Sequence, residues 1–150
     1  MFYGEMSKED YDFIFDCFKK LIIINRTTDK IVLIDPNTFD IVETLPISTS
    51  AYSGAYNPIK KEYVITTSEI VQIIDADPAS PTYKTITNSF SGEGFNVSDV
   101  GYNASDGKFY GVANDTSTLY KFDTENSTSS LVGSISNLPP GIYGAVYSTL

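Results

Sequence analysis

Apolar residues in this chain come in short runs parted by Gly, Pro, Asn, Asp and Ser, and the runs recur in a fixed order. An aromatic residue and a turn are followed by an apolar run, a gap, a second apolar run closed by Asp, a polar turn and a further run. Phe15, Tyr56, Tyr102 and Tyr147 fall in equivalent places at steps of 41, 46 and 45 residues, and Asp35, Asp75 and Asp123 close equivalent runs. Runs this short, rich in β-branched and aromatic residues, predict strands. A period of about 40 to 50 residues with several strands per unit predicts propeller blades.

The second copy is the plainest. Ser53-Gly54-Ala55-Tyr56 is a short inner strand, Asn57-Pro58 a turn, Glu62 to Thr67 a strand, Ile70 to Ile74 the next, and Tyr83 to Thr87 an outer strand. The first copy has Phe13 to Phe15, Leu21 to Ile24, Ile31 to Asp35 and Ile41 to Leu45. The third has Val100 to Asn103, Phe109 to Ala113, Leu119 to Asp123 and Leu131 to Ile135, with Ser89 to Gly94 and Ser127 to Ser130 read as loops. Several inner runs have no polar face, which predicts burial on both sides, as between stacked blades.

The expected fold is all-β, with β-propeller-like blades of four-stranded antiparallel sheets: roughly three blades plus one extra inner strand. The blades fall at approximately 11–46, 51–88 and 98–136, and the extra strand at 142–148, where Gly144-Ala145-Val146-Tyr147 mirrors Ser53-Gly54-Ala55-Tyr56. Residues 1–150 read as a single partial or self-associating propeller domain. The expected partners are further copies or the remaining blades of a larger protein, because uncovered blade faces and strand edges recruit neighbours.

Ten Lys and Arg stand against 19 Asp and Glu, a net charge of -9. Such a surface repels phosphate, so neither nucleic acid nor insertion into membrane is expected. The run Tyr11 to Leu33 is broken by charges and does not span a bilayer. No basic start with an apolar middle marks a secretory signal at the N-terminus.

Tyr63-Val64-Ile65-Thr66 followed by Val71-Gln72-Ile73-Ile74-Asp75, and Ile31 to Pro36 in the first copy, resemble the YVTN-type repeat of surface-layer β-propellers. Gly101-Tyr102-Asn103, Asp106-Gly107, Tyr110-Gly111-Val112, Leu119-Tyr120, Asp123 and Gly133 are similar to propeller domains of microbial surface proteins. The chain departs from the first pattern at Ile65-Thr66, where the family has Thr-Asn. The resemblance implies the fold; activity does not follow from it, because one fold hosts many functions.

The chain has no His, which removes Ser-His-Asp and Cys-His catalysis and His-ligated zinc from within it. Cys17, the lone thiol, lies beside Asp16, whose charge raises a thiol pKa rather than lowering it. Asp35, Asp75 and Asp123, with Asp77, are the residues best suited to a hard cation such as calcium. Their repeated position at strand ends favours a turn-making role instead, and no cofactor is expected. Tyr52, Tyr56, Tyr102 and Tyr143 recur near inner strands and are the candidates to face a ligand, glycans foremost, although packing between blades explains them with fewer assumptions. Five Asn-x-Ser/Thr sequons, at Asn25, Asn96, Asn103, Asn114 and Asn126, point to an exposed, secreted or surface protein.

The function expected is that of a non-enzymatic structural or adhesive module of a surface or extracellular assembly. The alternatives are a metal-dependent lactonase or hydrolase using Asp75, Asp77, Glu93 or Asp99, and a lectin-like binder using the tyrosines.

Overall fold

The computed structural model describes residues 20–25, 27–48, 50–67, 69–91, 97–113 and 117–137. Among these residues eleven strands form three antiparallel sheets. The first sheet holds β1 (Leu21–Asn25), β2 (Lys30–Ile34) and β3 (Ile41–Ser48). The second holds β4 (Ser53–Asn57), β5 (Glu62–Thr66), β6 (Ile70–Asp75) and β7 (Ile86–Ser91). The third holds β8 (Val97–Asn103), β9 (Lys108–Ala113), β10 (Thr118–Asp123) and β11 (Thr128–Ser134). In each sheet the strands lie side by side in chain order, and the last strand of one leads to the first of the next. This is the meander of propeller blades, and the three sheets do not close into a ring.

Turn chemistry sets where the strands reverse. Asn57 Oδ1 accepts the amides of Ile59 at 3.0 Å and Lys60 at 3.2 Å between β4 and β5. Asn25 Oδ1 accepts Thr27 and Thr28 between β1 and β2, and Thr67 Oγ1 accepts Glu69 and Ile70 at the equivalent place between β5 and β6. Side chains that accept amides two and three residues on are the usual way a short loop satisfies its donors.

The central strands of the second sheet, β5 and β6, are buried on both faces. Tyr63, Ile65 and Ile74 pack toward Ile31, Leu33, Leu45 and Ile47 of the first sheet. Val64, Val71 and Ile73 pack toward Val97, Val100, Phe109, Ala113, Tyr120 and Phe122 of the third. Alternate side chains of β5 thus enter different cores, which is why its sequence shows no polar face. Gly111 makes room for the second core: a Cβ there would come within 2.6 Å of Val97 Cγ1 and 2.8 Å of Phe122 Cε2.

Several expected boundaries are corrected. The outer strand of the second copy lies at Ile86–Ser91, not Tyr83 to Thr87. Residues 76–85 are held as turns by Asp75, whose carbonyl accepts Lys84 N at 2.8 Å and whose Oδ2 accepts the Thr82 hydroxyl at 2.6 Å. That copy therefore runs past residue 88, and Ser89 to Ser91, expected as loop, are strand. In the third copy Thr128-Ser129-Ser130, also expected as loop, open β11, because the Asp123 turn needs only residues 124–127. Strand β3 continues past Leu45 to Ser48, beyond the expected end at residue 46. The first copy shows three strands; its expected inner strand, Phe13 to Phe15, lies outside the described residues, as does the expected strand 142–148.

Candidate functional site: the cleft between the first two sheets

The acidic residues that end the repeated strands are placed as turn acceptors. Asp35 Oδ1 lies 2.7 Å from Asn37 N, Asp75 Oδ1 2.9 Å from Asp77 N, and Asp123 Oδ1 3.0 Å from Glu125 N. Asp77 takes Ala79 N at 3.1 Å and the Lys61 ammonium at 3.2 Å on the same oxygen. Burial pushes the Asp75 carboxyl up, but hydrogen bonds from Ser80, Thr82 and the Asp77 amide outweigh it and leave its pKa below the usual carboxylate range. The Lys108 ammonium, 2.7 Å from Asp123 Oδ2, together with Asn126, holds the Asp123 carboxyl well below that range. Among the described residues no three His, Cys, Asp or Glu side chains are grouped to share a metal ion.

Other polar side chains join one sheet to the next. The Ser53 hydroxyl donates to Asp99 Oδ1 at 2.8 Å and accepts Val100 N at 3.2 Å. Glu62 Oε1 accepts Asn57 Nδ2 at 3.1 Å and the Thr124 hydroxyl at 2.7 Å. Asn88 Nδ2 donates to Ser127 Oγ at 2.6 Å near the outer edge. Between the first and second sheets, Lys84 Nζ meets Glu43 Oε1 at 2.6 Å and lies 4.6 Å from the Tyr83 ring centroid.

A cavity of about 360 Å³ opens at that same junction. Its floor is apolar, with Ile22, Leu33 and Leu45 from the first sheet and Ala55 and Ile74 from the second. Tyr56, Tyr63, Tyr83, Asp75, Lys20 and Lys84 stand around it. Tyr63 is 7% exposed, and burial raises its phenol to about 12. Gly54 on the neighbouring strand makes room for this ring: a Cβ there would lie 2.5 Å from Tyr63 Cζ. With an apolar floor and hydroxyls and ammonium groups at the margin, the recess can accept an apolar side chain or ring whose polar end stays at the rim.

The sequence-derived ligand tyrosines do not converge. Tyr56 lines the cleft. Tyr102 packs into the other junction, its ring centroid 5.0 Å from that of Phe109. Its hydroxyl is buried with no hydrogen-bond partner, and burial with the charges of Glu62 and Asp106 raises its pKa. Tyr52 is 37% exposed and joins neither core. Asn25 and Asn126 are exposed at turns, whereas Asn103 is 6% exposed with its Oδ1 on the Ser105 amide. Tyr143, Asn96, Asn114, Glu93 and Cys17 lie outside the described residues. Sequence reading passed over Tyr63 and Gly54 as cleft residues and missed the Glu43–Lys84 pair. A glycine inside a strand run is a signal of close approach; the ion pair left none, since its members are 41 residues apart.

A family model described as a repeat of unknown function, DUF6923, matches residues 25–149. No curated protein sequence matches the chain. Among solved structures, Kuenenia stuttgartiensis hydrazine synthase is similar over 75% of this chain and 32% of its own, with a TM-score of 0.60 and 13% identity. A structure of U3-55K is similar over 75% of this chain and 35% of its own, with a TM-score of 0.58 and 12% identity. The chain spans about a third of the length of these structures. At such identities the likeness concerns fold alone, and it agrees with propeller-like sheets.

Proposed function

The chain belongs to that family of repeats of unknown function, DUF6923, and we propose that it is a non-enzymatic structural or adhesive propeller module of a surface or extracellular assembly. The observation that supports this is how its polar side chains are used. The acids of the repeat accept turn amides, and Ser53, Asp99, Glu62, Thr124, Glu43 and Lys84 tie blade to blade. Side chains committed to one another by hydrogen bonds hold a scaffold in shape; a hydrolase needs some of them turned toward substrate. The surface placement is supported by the sequons at exposed Asn25 and Asn126 and by the acidic charge.

The test has two arms. Purified protein is assayed on ester, lactone and phosphoester substrates with and without added divalent cations, and no turnover above background is expected. Turnover lost on Asp75→Asn or Tyr63→Phe would establish the enzyme reading instead. Intact cells of the source are then treated with protease and probed with antibody to the chain: loss of signal is expected, and full protection would remove the surface assignment.

A further inference from the structure

The outer turn of each sheet carries one residue in the left-handed backbone region: Phe39 with φ 62°, Lys84 with φ 67° and Ser127 with φ 54°. The residues that follow them, Asp40, Thr85 and Thr128, lie opposite the repeated acids Asp35, Asp75 and Asp123, so the three places are equivalent. A second recurring place lies on the outer strands. Glu43 is paired with Leu33, Asn88 with Ile73 and Ser130 with Lys121, and each of these partners stands two residues before the repeated Asp.

The two kinds of place meet across the sheet junctions. Lys84 of the second sheet reaches Glu43 of the first at 2.6 Å, and Ser127 of the third sheet meets Asn88 of the second at 2.6 Å. Both times the left-handed residue of one sheet touches the outer strand of the sheet before it, and the chemistry is matched: ammonium with carboxylate, hydroxyl with amide.

Phe39 holds that place on the first sheet, which no other sheet precedes among the described residues. It is 77% exposed, and the nearby Ile41 is 63% exposed. A bulky aromatic residue is uncommon in the left-handed region, where Gly or Asn is at ease, and exposure returns nothing for it. Strain of this kind points to a contact made elsewhere. By the matching at the other two junctions, Phe39 calls for an apolar side chain in the register of Glu43 and Asn88. Ser130, which has that register in the third sheet, is polar, so a second copy set end to end does not supply it.

We propose that the left-handed turn residue is the one by which each blade recognises the outer strand of the blade before it, and that Phe39 receives the outer strand of a β-blade bearing an apolar side chain in the Glu43 register. This rests on the structural module read above, but it is tested by coupling and contact rather than by activity or location, so each can fail alone.

The recognition rule is tested at the closed junction with Lys84→Phe, Glu43→Leu and the two combined, in the full chain. The combined variant is expected to unfold in urea at a higher midpoint than the two single shifts added together; additive shifts overturn the rule. Phe39→Asn is expected to leave the midpoint unchanged or raised, and a fall would show that Phe39 serves its own chain and overturn its part. The partner is read by Phe39→p-benzoylphenylalanine in the full chain, irradiated in intact cells of the source, with the cross-linked peptide sequenced by mass spectrometry. An outer strand of a propeller blade with an apolar residue in that register is expected. Any other peptide, residues 128–134 of a second copy included, or no product, overturns the proposal.

Discussion

Ser53 and Asp99 fasten two inner strands together: the hydroxyl donates a hydrogen bond to Oδ1 at 2.8 Å while accepting one from the amide of Val100 at 3.2 Å. One side chain thereby satisfies a carboxylate and a backbone donor on the neighbouring sheet. Ser53→Ala leaves both short of a partner, and a loss of about 1–3 kcal/mol in urea unfolding is expected. Ser53→Thr keeps the hydroxyl and should recover part of that loss.

Gly54 and Tyr63 share one space, since a Cβ on the glycine would overlap the phenol ring. Gly54→Ala is expected to cost about 1–3 kcal/mol through overpacking. Gly54→Ala combined with Tyr63→Leu should cost less than the two single changes added together, because the smaller side chain vacates the contested volume. Thermal unfolding of the four proteins provides the comparison.

Tyr63 also sets an alkaline limit. Its phenol is raised to about 12 in the fold by burial, whereas the unfolded chain ionises it near the ordinary value of about 10. Between these values the unfolded state binds fewer protons, so stability present below the lower pKa is lost as pH rises toward the upper one, by about 3 kcal/mol at most. Tyr63→Phe should lose less stability than the parent over that window, measured by denaturant unfolding at matched ionic strength.

The acid side belongs to Asp123 and Asp75. Both carboxyls are depressed in the fold, Asp123 mainly by the hydrogen bond from Lys108 and Asp75 by hydrogen bonds that outweigh its burial. A depressed carboxyl stabilises the fold above its unfolded pKa of about 3.9, and that contribution fades as pH falls through the folded value. Asp123→Asn is expected to lower stability at neutral pH and to flatten the decline below about pH 4. A variant with the same acid slope as the parent would contradict this.

The inner architecture was legible because burial wrote it into the sequence. Tyr63-Val64-Ile65 is apolar at every position, since alternate residues enter two different cores, and the Asp at each strand end marks a turn that recurs. The outer strands were misplaced for the converse reason. Residues 86–89 and 128–131 are at least partly exposed, so no hydrophobic pattern distinguishes them from loop, and their starts are set by turn hydrogen bonds such as Thr82 to Asp75. The cleft was not legible, because it arises where Ile22 and Leu45 meet Tyr63 and Ile74 across a junction of two sheets. Its one local sign was Gly54.

The two faces of the middle sheet are different surfaces, one carrying Tyr63, Ile65 and Ile74 and the other Val64, Val71 and Ile73. A stack built on them has a front and a back. The first sheet meets one of these faces and the third meets the other, so the order of the three sheets is written in which alternate residues of β5 and β6 enter which core.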